Sequence, residues 1–157
     1  MKKLLTLTTL LALSITTSFA ATTGTLLLQG IVAQKILVAV TPATVASALD
    51  LTTTQSDLNV GSVNVKSNSK TGYKLTITST NLGKLKRTDG AEVMSYTMKY
   101  GSSAVGLSTA AGTTFTNSSG SIVNINTALS ISYTGVAAET MVEGTYNDTV
   151  TLNIAAN

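Results

Sequence analysis

The chain has 157 residues, of which 43% are hydrophobic and 11% are charged, with a formal net charge of +3. It contains no His and no Cys, so it lacks the commonest general base, the thiol nucleophile and the usual ligands of transition metals. The seven carboxylates are scattered along the chain, and the many Ser and Thr residues have no identifiable activating base. The composition therefore predicts that the protein is not an enzyme and holds no cofactor or metal.

The first twenty residues have the pattern of a signal peptide. Lys2 and Lys3 begin it, an apolar run follows, and the small residues Ser18 and Ala20 precede the expected cleavage site. Thr and Ser interrupt the apolar run, which is shorter than the roughly 20 apolar residues that a membrane-spanning helix needs. We therefore predict export and cleavage after Ala20, which leaves a mature chain of 137 residues without a transmembrane span.

The mature chain is close to neutral. Loss of Lys2 and Lys3 leaves eight basic residues against seven acidic ones, a formal charge of +1. The tight basic group Lys84, Lys86 and Arg87 has no aromatic residue between its members, and we interpret it as part of a solvated loop. Because binding to a phosphate backbone requires a larger basic patch, the sequence argues against a nucleic-acid partner.

An apolar segment, TGTLLLQGIVAQKILVAV at residues 23–40, lies directly behind the predicted signal peptide. Side chains of an extended chain alternate between two faces. One face of this segment carries Leu26, Leu28, Gly30 and Val32, and the other carries Leu27, Gln29, Ile31 and Ala33. Composition alone favours a first strand of the chain's own fold, which Ile36, Val38 and Val40 continue or follow with another strand.

Apolar and polar residues alternate with a period of two through the rest of the chain, a pattern typical of half-buried antiparallel strands. The predicted apolar faces are Val63 and Val65; Tyr73, Leu75 and Ile77; Met94, Tyr96, Met98 and Tyr100; Ile122 or Val123 with Ile125; Leu129, Ile131 and Tyr133; and Tyr146, Val150, Leu152 and Ile154. About seven short strands at this spacing predict an all-β Greek-key sandwich.

Turns and loops separate these strands. SNSKTGY and the hairpin dipeptide Asp89-Gly90 are turn signals. The small residues of AAGTTFTNSSGS predict a loop with an edge strand around Phe115, and ATVASALDL predicts a short helical turn. We place the carboxylates Asp89, Glu92, Glu139, Glu143 and Asp148 on turns and outer faces.

The two ends of the chain carry a paired motif. At the N-terminal end, TLLLQGIVAQKILVAV has alternating apolar residues around a Gly and then a strand. At the other end, Gly144 is the fourteenth residue from the terminus and Tyr146 follows two residues later, before an alternating strand. With the middle segment VGSVNVKSNSKTGYKLTITS, these motifs resemble the major subunits of chaperone–usher pili and the related spore-coat-U-like subunits. The chain is similar to their cysteine-free members, since Leu37 stands where many of these subunits have the first Cys of a disulfide.

The resemblance implies an incomplete immunoglobulin-like Greek-key β-sandwich that is completed by a donor strand from another subunit. It implies a donor-strand extension at residues 21–34 and a pilin domain at residues 35–157. The implied donor residues are Leu26, Leu28, Gly30 and Val32, and the implied acceptor residues are Gly144, Tyr146, Val150, Leu152 and Ile154. The implied partners are other copies of the chain, a periplasmic chaperone and an outer-membrane usher. The implied location is a fimbria at the cell surface, where it supports adhesion or biofilm formation.

The alternative is a self-contained secreted β-sandwich that binds a surface ligand such as a glycan. Such a protein would use the N-terminal apolar segment as its own strand. Binding sites for sugars favour exposed aromatic residues, whereas this chain has no Trp and six aromatic residues beyond residue 20. A purified monomer that is stable without a chaperone and never polymerises would favour this alternative.

Overall fold

The computed structural model describes residues 23–157, so the predicted signal peptide lies outside the described residues. Backbone contacts divide the chain into one unit that ends at Val32 and a second unit, Ala33–Asn157. In the first unit, residues 23–32 have no regular secondary structure, and their large apolar side chains are exposed. The second unit, which we call the domain, contains the strands.

Eleven strands and two short 3-10 turns follow one another in residues 33–157. The strands are β1 Ile36–Pro42, β2 Gln55–Ser67, β3 Tyr73–Ser79, β4 Lys84–Arg87, β5 Val93–Ser95, β6 Thr97–Tyr100, β7 Ser103–Val105, β8 Thr113–Asn117, β9 Val123–Tyr133, β10 Tyr146–Asn147 and β11 Val150–Ala156. The 3-10 turns are Thr44–Ser47 and Ala138–Thr140.

The strands form three antiparallel sheets. The largest has the order β1-β2-β9-β6-β7, a second has the order β11-β3-β8, and a small third sheet has the order β10-β4-β5. Every strand pairing in these sheets is antiparallel. The predicted all-β class is therefore confirmed, and the arrangement is consistent with a β-sandwich.

The core is built from the inward faces of the two larger sheets. Val63 and Val65 of β2 are 0% exposed, as are Leu75 and Ile77 of β3. These residues alternate with polar neighbours that face outward, which is the pattern expected for sheets with one buried face. The predicted inward faces of β2 and β3 are therefore confirmed.

The predicted single run from Met94 to Tyr100 is two strands in different sheets. Met94 lies in β5 of the small sheet, and Met98 lies in β6 of the large one. Tyr96 connects them, and its N–H donates to the carbonyl oxygen of Gly83 at 2.9 Å. All three side chains are buried, so the predicted facing is right. Alternation of apolar and polar residues indicates which way a side chain faces, but not which other strand its own strand pairs with. The sequence therefore did not predict the change of sheet.

The loop predicted around Lys84, Lys86 and Arg87 was wrong, because these residues lie on β4. Leu85 between them is 7% exposed and belongs to the core, while the two lysines face outward. β4 pairs with β5 across the predicted turn at Asp89-Gly90, which is confirmed. The sequence pattern of a short strand with one apolar residue between two charged residues does not differ from that of a solvated loop.

Two other local predictions hold. The 3-10 turn Thr44–Ser47 lies within ATVASALDL, and β8 around Phe115 is the edge strand of the second sheet. The sequence left open whether Ile122 or Val123 belongs to the apolar face. In the structure, Val123 is partly buried against the core, whereas Ile122 is 87% exposed.

Candidate functional site

Two edge strands, β1 and β11, run beside each other in the domain. Among the described strands, β1 pairs with β2 alone and β11 pairs with β3 alone. Within residues 23–157, the sheet pairings include none between β1 and β11. Each strand therefore keeps one row of backbone N–H and C=O groups without a strand partner, which is the feature that allows a further strand to add.

The apolar side chains along these two strands are incompletely covered. We call this region the open edge, and its residues are Ile36, Val38, Val40, Val150, Leu152 and Ile154. Val40 is 45% exposed, and the three residues of β11 are partly buried. Directly beside them in the sheets, Val63 pairs with Val40 and Ile77 pairs with Leu152, and both are 0% exposed. The core is thus closed over β2 and β3 and accessible along the open edge.

A cavity of about 610 Å³ lies between the segment that precedes β2 and the segment that precedes β11. Its walls are residues 46–52, Leu85, and residues 138 and 141–148. Gly144 and Tyr146 are among the lining residues, and Leu49, Leu51 and Met141 supply partly buried apolar surface. Two of the predicted acceptor residues, Gly144 and Tyr146, thus line this cavity, and the other three lie on β11.

Gly144 is held against the side chain of Arg87. Its φ of +146° is one that residues with a side chain rarely adopt, and a Cβ there would lie 3.0 Å from Arg87 Cδ. The guanidinium of Arg87 is fixed by Glu92, with Nε to Oε2 at 2.8 Å, and by Asp89, with an N to O distance of 3.3 Å. The stem of the arginine therefore packs over the glycine, which explains the need for Gly at this position.

Asp148 connects the start of β11 to the end of β3. Its Oδ2 accepts hydrogen bonds from Ser79 Oγ at 2.5 Å and from Tyr96 Oη at 2.7 Å, and its Oδ1 accepts from the N–H of Asn81 at 2.9 Å. Burial, and then the neighbouring carboxylate, raise the pKa of Tyr96 above its usual value, so its hydroxyl stays protonated and donates.

Asp148 was predicted on a turn or an outer face, and it lies in the connection between β10 and β11, but its carboxylate is partly buried in this network. Sequence reasoning also missed the role of Tyr96, which lies 52 residues away from Asp148 in the chain. No spacing rule links two residues so far apart, so only the folded arrangement of β3, β5 and β11 reveals the pair.

Asp50 organises the loop at the other wall of the cavity. Its carboxylate accepts hydrogen bonds from Thr52 Oγ1 at 2.6 Å, the N–H of Thr52 at 3.0 Å and Thr53 Oγ1 at 2.8 Å. These bonds, chiefly the one from the Thr52 side chain, lower the pKa of Asp50. Tyr133 Oη also donates to the backbone carbonyl of Asp50 at 2.9 Å. The ionised carboxylate of Asp50 therefore holds the backbone of residues 50–53 in a turn.

We expect acid to loosen this loop in the parent and to affect it less in Asp50→Asn. A carboxyl group with a lowered folded pKa stabilises the fold above its unfolded pKa, and that stability is lost as the pH falls through the folded pKa. Thermal unfolding of both proteins between about pH 7 and pH 2 should show a smaller acid-induced fall of the midpoint in the variant. Equal falls in both proteins would contradict the assignment.

The N-terminal segment presents its apolar residues on both faces. Leu26, Leu28 and Val32 of the predicted donor face are 82%, 83% and 88% exposed. Leu27 of the other face is 83% exposed, so the described exposure does not distinguish the faces. A Cβ built on Gly30 would meet no heavy atom within 4 Å in the described chain.

Residues 33–35 are tied to the turn that follows β2. Asn68 Nδ2 donates to the carbonyl of Ala33 at 2.9 Å, and the N–H of Lys35 donates to Asn68 Oδ1 at 2.6 Å. Gln34 Nε2 donates to Ser69 Oγ at 2.9 Å. The backbone is thus anchored from Ala33 onward, immediately before β1.

Comparison of the chain with models of known protein families and with curated proteins found no match. In residues 23–157, no helix combines the length and the apolar character needed to cross a membrane. In the described chain, the features that bear on function are the open edge, the cavity lined by Gly144 and Tyr146, and the exposed apolar segment.

Proposed function

We propose that the protein is a structural subunit of a surface fimbria and polymerises head-to-tail by donor-strand exchange. The N-terminal segment of one copy adds a strand along β1 and β11 of the next copy. The observation that carries this proposal is an apolar edge with unpaired backbone in a chain that also has an exposed apolar segment. On this proposal, the domain is an immunoglobulin-like Greek-key sandwich that lacks its last strand.

The segment is long enough for this role. Residues 23–32, which precede the anchored Ala33, cover roughly 33 Å when extended, at about 3.3 Å per residue. The seven residues of β11 cover about 23 Å on the same scale. A strand made from the segment is therefore long enough to cover the whole of β11.

Burial of the donor face provides the driving force. Leu26, Leu28 and Val32 contribute about 1.5–3 kcal/mol each when they leave water, or roughly 5–9 kcal/mol together. Each backbone hydrogen bond to an edge strand adds about 0.5–1.5 kcal/mol. Gly30 allows close approach of the two backbones, because it has no side chain.

An uncovered edge has a consequence for export. Unpaired edges with apolar side chains promote non-specific aggregation, so we propose that a periplasmic chaperone covers the open edge until an outer-membrane usher exchanges it for the next subunit. Because the donor and acceptor surfaces differ, the contact is heterologous and generates an open filament. The filament at the cell surface supports adhesion or biofilm formation.

Deletion of residues 21–32, with the signal peptide retained, tests this proposal. The deletion keeps residues 33–35 and their contacts with Asn68 and Ser69. We expect electron microscopy to show fibres on cells that carry the parent chain and none on cells that carry the truncated one. Secreted truncated protein should accept a synthetic peptide of residues 21–34. Fibres of the truncated chain would overturn the proposal.

A further inference from the structure

The charged side chains of the domain are separated between its two ends. Beyond residue 20 the sequence has eight basic and seven acidic side chains, a formal charge of +1. Asp57 and Lys99 form an ion pair with each other at 2.8 Å. The other thirteen charged side chains lie at one end of the domain or the other, four at the first end and nine at the second. A chain that is close to neutral as a whole therefore has two ends of different charge.

The first end, which we call the lysine end, lies at the turn between β2 and β3. Ile36 at the start of β1 pairs with Ser67 at the end of β2, so β1 also begins here. Its four lysines are exposed, and none of them forms an ion pair within the described part of the chain. They are Lys35, Lys66, Lys70 and Lys74. The segments that meet at this end contain no Asp or Glu; they are residues 33–42, 62–76, 113–126 and 153–157.

The second end, which we call the acidic end, surrounds the larger cavity. Asp50 precedes β2, and Glu143 and Asp148 lie between β9 and β11; all three line the cavity. The 13 residues of β2 span roughly 40 Å at about 3.3 Å per residue, so this end lies far from the lysine end. Its acidic residues are Asp50, Asp89, Glu92, Glu139, Glu143 and Asp148, and its basic residues are Lys84, Lys86 and Arg87.

Arg87 connects the turn between β4 and β5 to the rest of the acidic end. It forms ion pairs with Asp89 and Glu92, and its Nη1 donates to the backbone carbonyl of Glu143 at 3.4 Å. Its charge is therefore already compensated within the domain. Six carboxylates against three basic groups leave this end with a formal charge of −3. The acidic end thus carries an excess of negative charge, and the lysine end carries positive charge alone among its side chains.

The N-terminal segment joins the domain at the lysine end. The carbonyl of Ala33 accepts a hydrogen bond from Asn68 Nδ2 at 2.9 Å, in the turn after β2. β11 also finishes at this turn, since the N–H of Asn157 donates to the carbonyl of Gly72 at 3.4 Å. β1 therefore starts at the lysine end and β11 finishes there, so the two edge strands run in opposite directions.

The direction of an added strand decides which ends of two copies meet. A strand between β1 and β11 is antiparallel to one of them and parallel to the other. If it is antiparallel to β11, its last residue lies beside the start of β11, and the lysine end of its own copy meets the acidic end of the neighbour. In the other direction two lysine ends meet, and like charges repel. The charges therefore favour the direction antiparallel to β11.

We propose that the lysine end of one copy binds the acidic end of the next copy and orients the two copies for strand addition. This inference rests on the proposed function for the step that follows, but the attraction between the ends is measurable without a fibre. Complementary charges speed the encounter of two proteins and fix their relative orientation. The exposed pairs between the ends act mainly on the rate of association, and salt screens them.

Light scattering by the purified full mature chain, measured as a function of salt, tests the proposal. Between about 0.02 M and 0.5 M salt, the Debye length falls from roughly 20 Å to about 4 Å. Electrostatic steering raises association rates by about 10-fold to 1,000-fold. We therefore expect the initial rate of association to fall at least tenfold over this range.

Charge reversals at the two ends separate a local effect from an effect of net charge. Lys70→Glu with Lys74→Glu should slow association of the chain about tenfold or more at low salt. Lys84→Glu with Lys86→Glu is the matched control, because each pair of changes lowers the formal charge of the mature chain from +1 by four, to −3. The control adds negative charge to the acidic end and should associate at least as fast as the parent.

A third variant changes the net charge in the opposite direction. Glu139 and Glu143 are exposed, so Glu139→Lys with Glu143→Lys removes the excess of negative charge at the acidic end without a buried change. We expect this variant to associate about tenfold or more slowly than the parent at low salt. Slow association of both end variants, with formal charges of −3 and +5, would then follow from the location of the charges.

Two results would overturn the proposal. One is an association rate of the parent that is the same at low and high salt. The other is a Lys84 and Lys86 control as slow as the Lys70 and Lys74 variant. Failure of the proposed function gives a different result: salt-dependent association persists in the chain that lacks residues 21–32, while the parent forms no fibres on cells. Fibres that assemble at one rate in all variants would overturn the contact between the ends and leave strand exchange standing.

Discussion

If the protein polymerises as proposed, we expect Leu28→Asp to abolish fibre assembly and Leu27→Asp, on the opposite face, to leave it intact. The two leucines are equally exposed in the described structure, at 83% each, so the substitutions are matched for their effect on the free chain. In the proposed complex, Leu28 enters the core of the next subunit and Leu27 faces outward. Leu28→Asp therefore loses about 1.5–3 kcal/mol of apolar burial in the complex and adds the larger cost of burying an unpaired carboxylate.

A loss of about 3 kcal/mol already weakens association roughly 100-fold, since each 1.4 kcal/mol is a factor of ten. The measurement is polymer length by sedimentation or electron microscopy, at equal concentrations of the two variants. Leu26→Asp and Val32→Asp should behave like Leu28→Asp, and Ile31→Asp should behave like Leu27→Asp. If both faces are equally sensitive, or if only the Leu27 face is, then the predicted register of the donor strand is wrong.

We expect Asp148→Ala to destabilise the domain by about 2–4 kcal/mol, because it leaves several buried polar groups without their partner. Tyr96, 8% exposed, and Ser79, 5% exposed, both donate to this carboxylate, as does the N–H of Asn81. Urea unfolding of the purified mature parent and of Asp148→Ala measures the difference in their free energies of unfolding. Tyr96→Phe removes one donor, so combining it with Asp148→Ala should cost less than the sum of the two single changes.

Asp89→Ala is the matched control for this prediction. The Asp89 side chain is 70% exposed, and its ion pair with Arg87 is at the surface. Exposed pairs of this kind contribute about 0–1 kcal/mol, so the control should unfold close to the parent. An Asp148→Ala protein as stable as Asp89→Ala would show that the network does not support β11.

The sequence predicts which side chains face inward far better than it predicts how strands pair. The alternation of Val63, Val65, Leu75 and Ile77 follows from one buried face on each sheet, and it is visible in any single strand. The change of sheet at Tyr96 depends on which neighbours pair with β5 and β6. Pairing is a relation between distant segments, and the period of two is the same for each possible partner.

The candidate site shows the same difference between what a local sequence pattern predicts and what depends on distant segments. The position of Gly144 and the alternating strand Val150 to Ile154 could be read from the C-terminal motif, and the structure places them at the cavity and on β11. The contact that restricts Gly144 is with Arg87, and the carboxylate that fixes the start of β11 is Asp148. Both depend on segments that approach only after folding, so neither could be predicted from spacing.

In the proposed fibre, the stability of one copy depends on its neighbour, because the neighbour covers the open edge. A subunit whose edge is filled gains the burial and hydrogen bonds of the incoming strand, while a copy at the end of a chain of subunits lacks them. Binding that favours the folded state raises the resistance to unfolding. For such a fibre under heat or denaturant, we therefore expect loss of subunits to start at the terminus with the uncovered edge and to proceed copy by copy, so that interior copies outlast the exposed one.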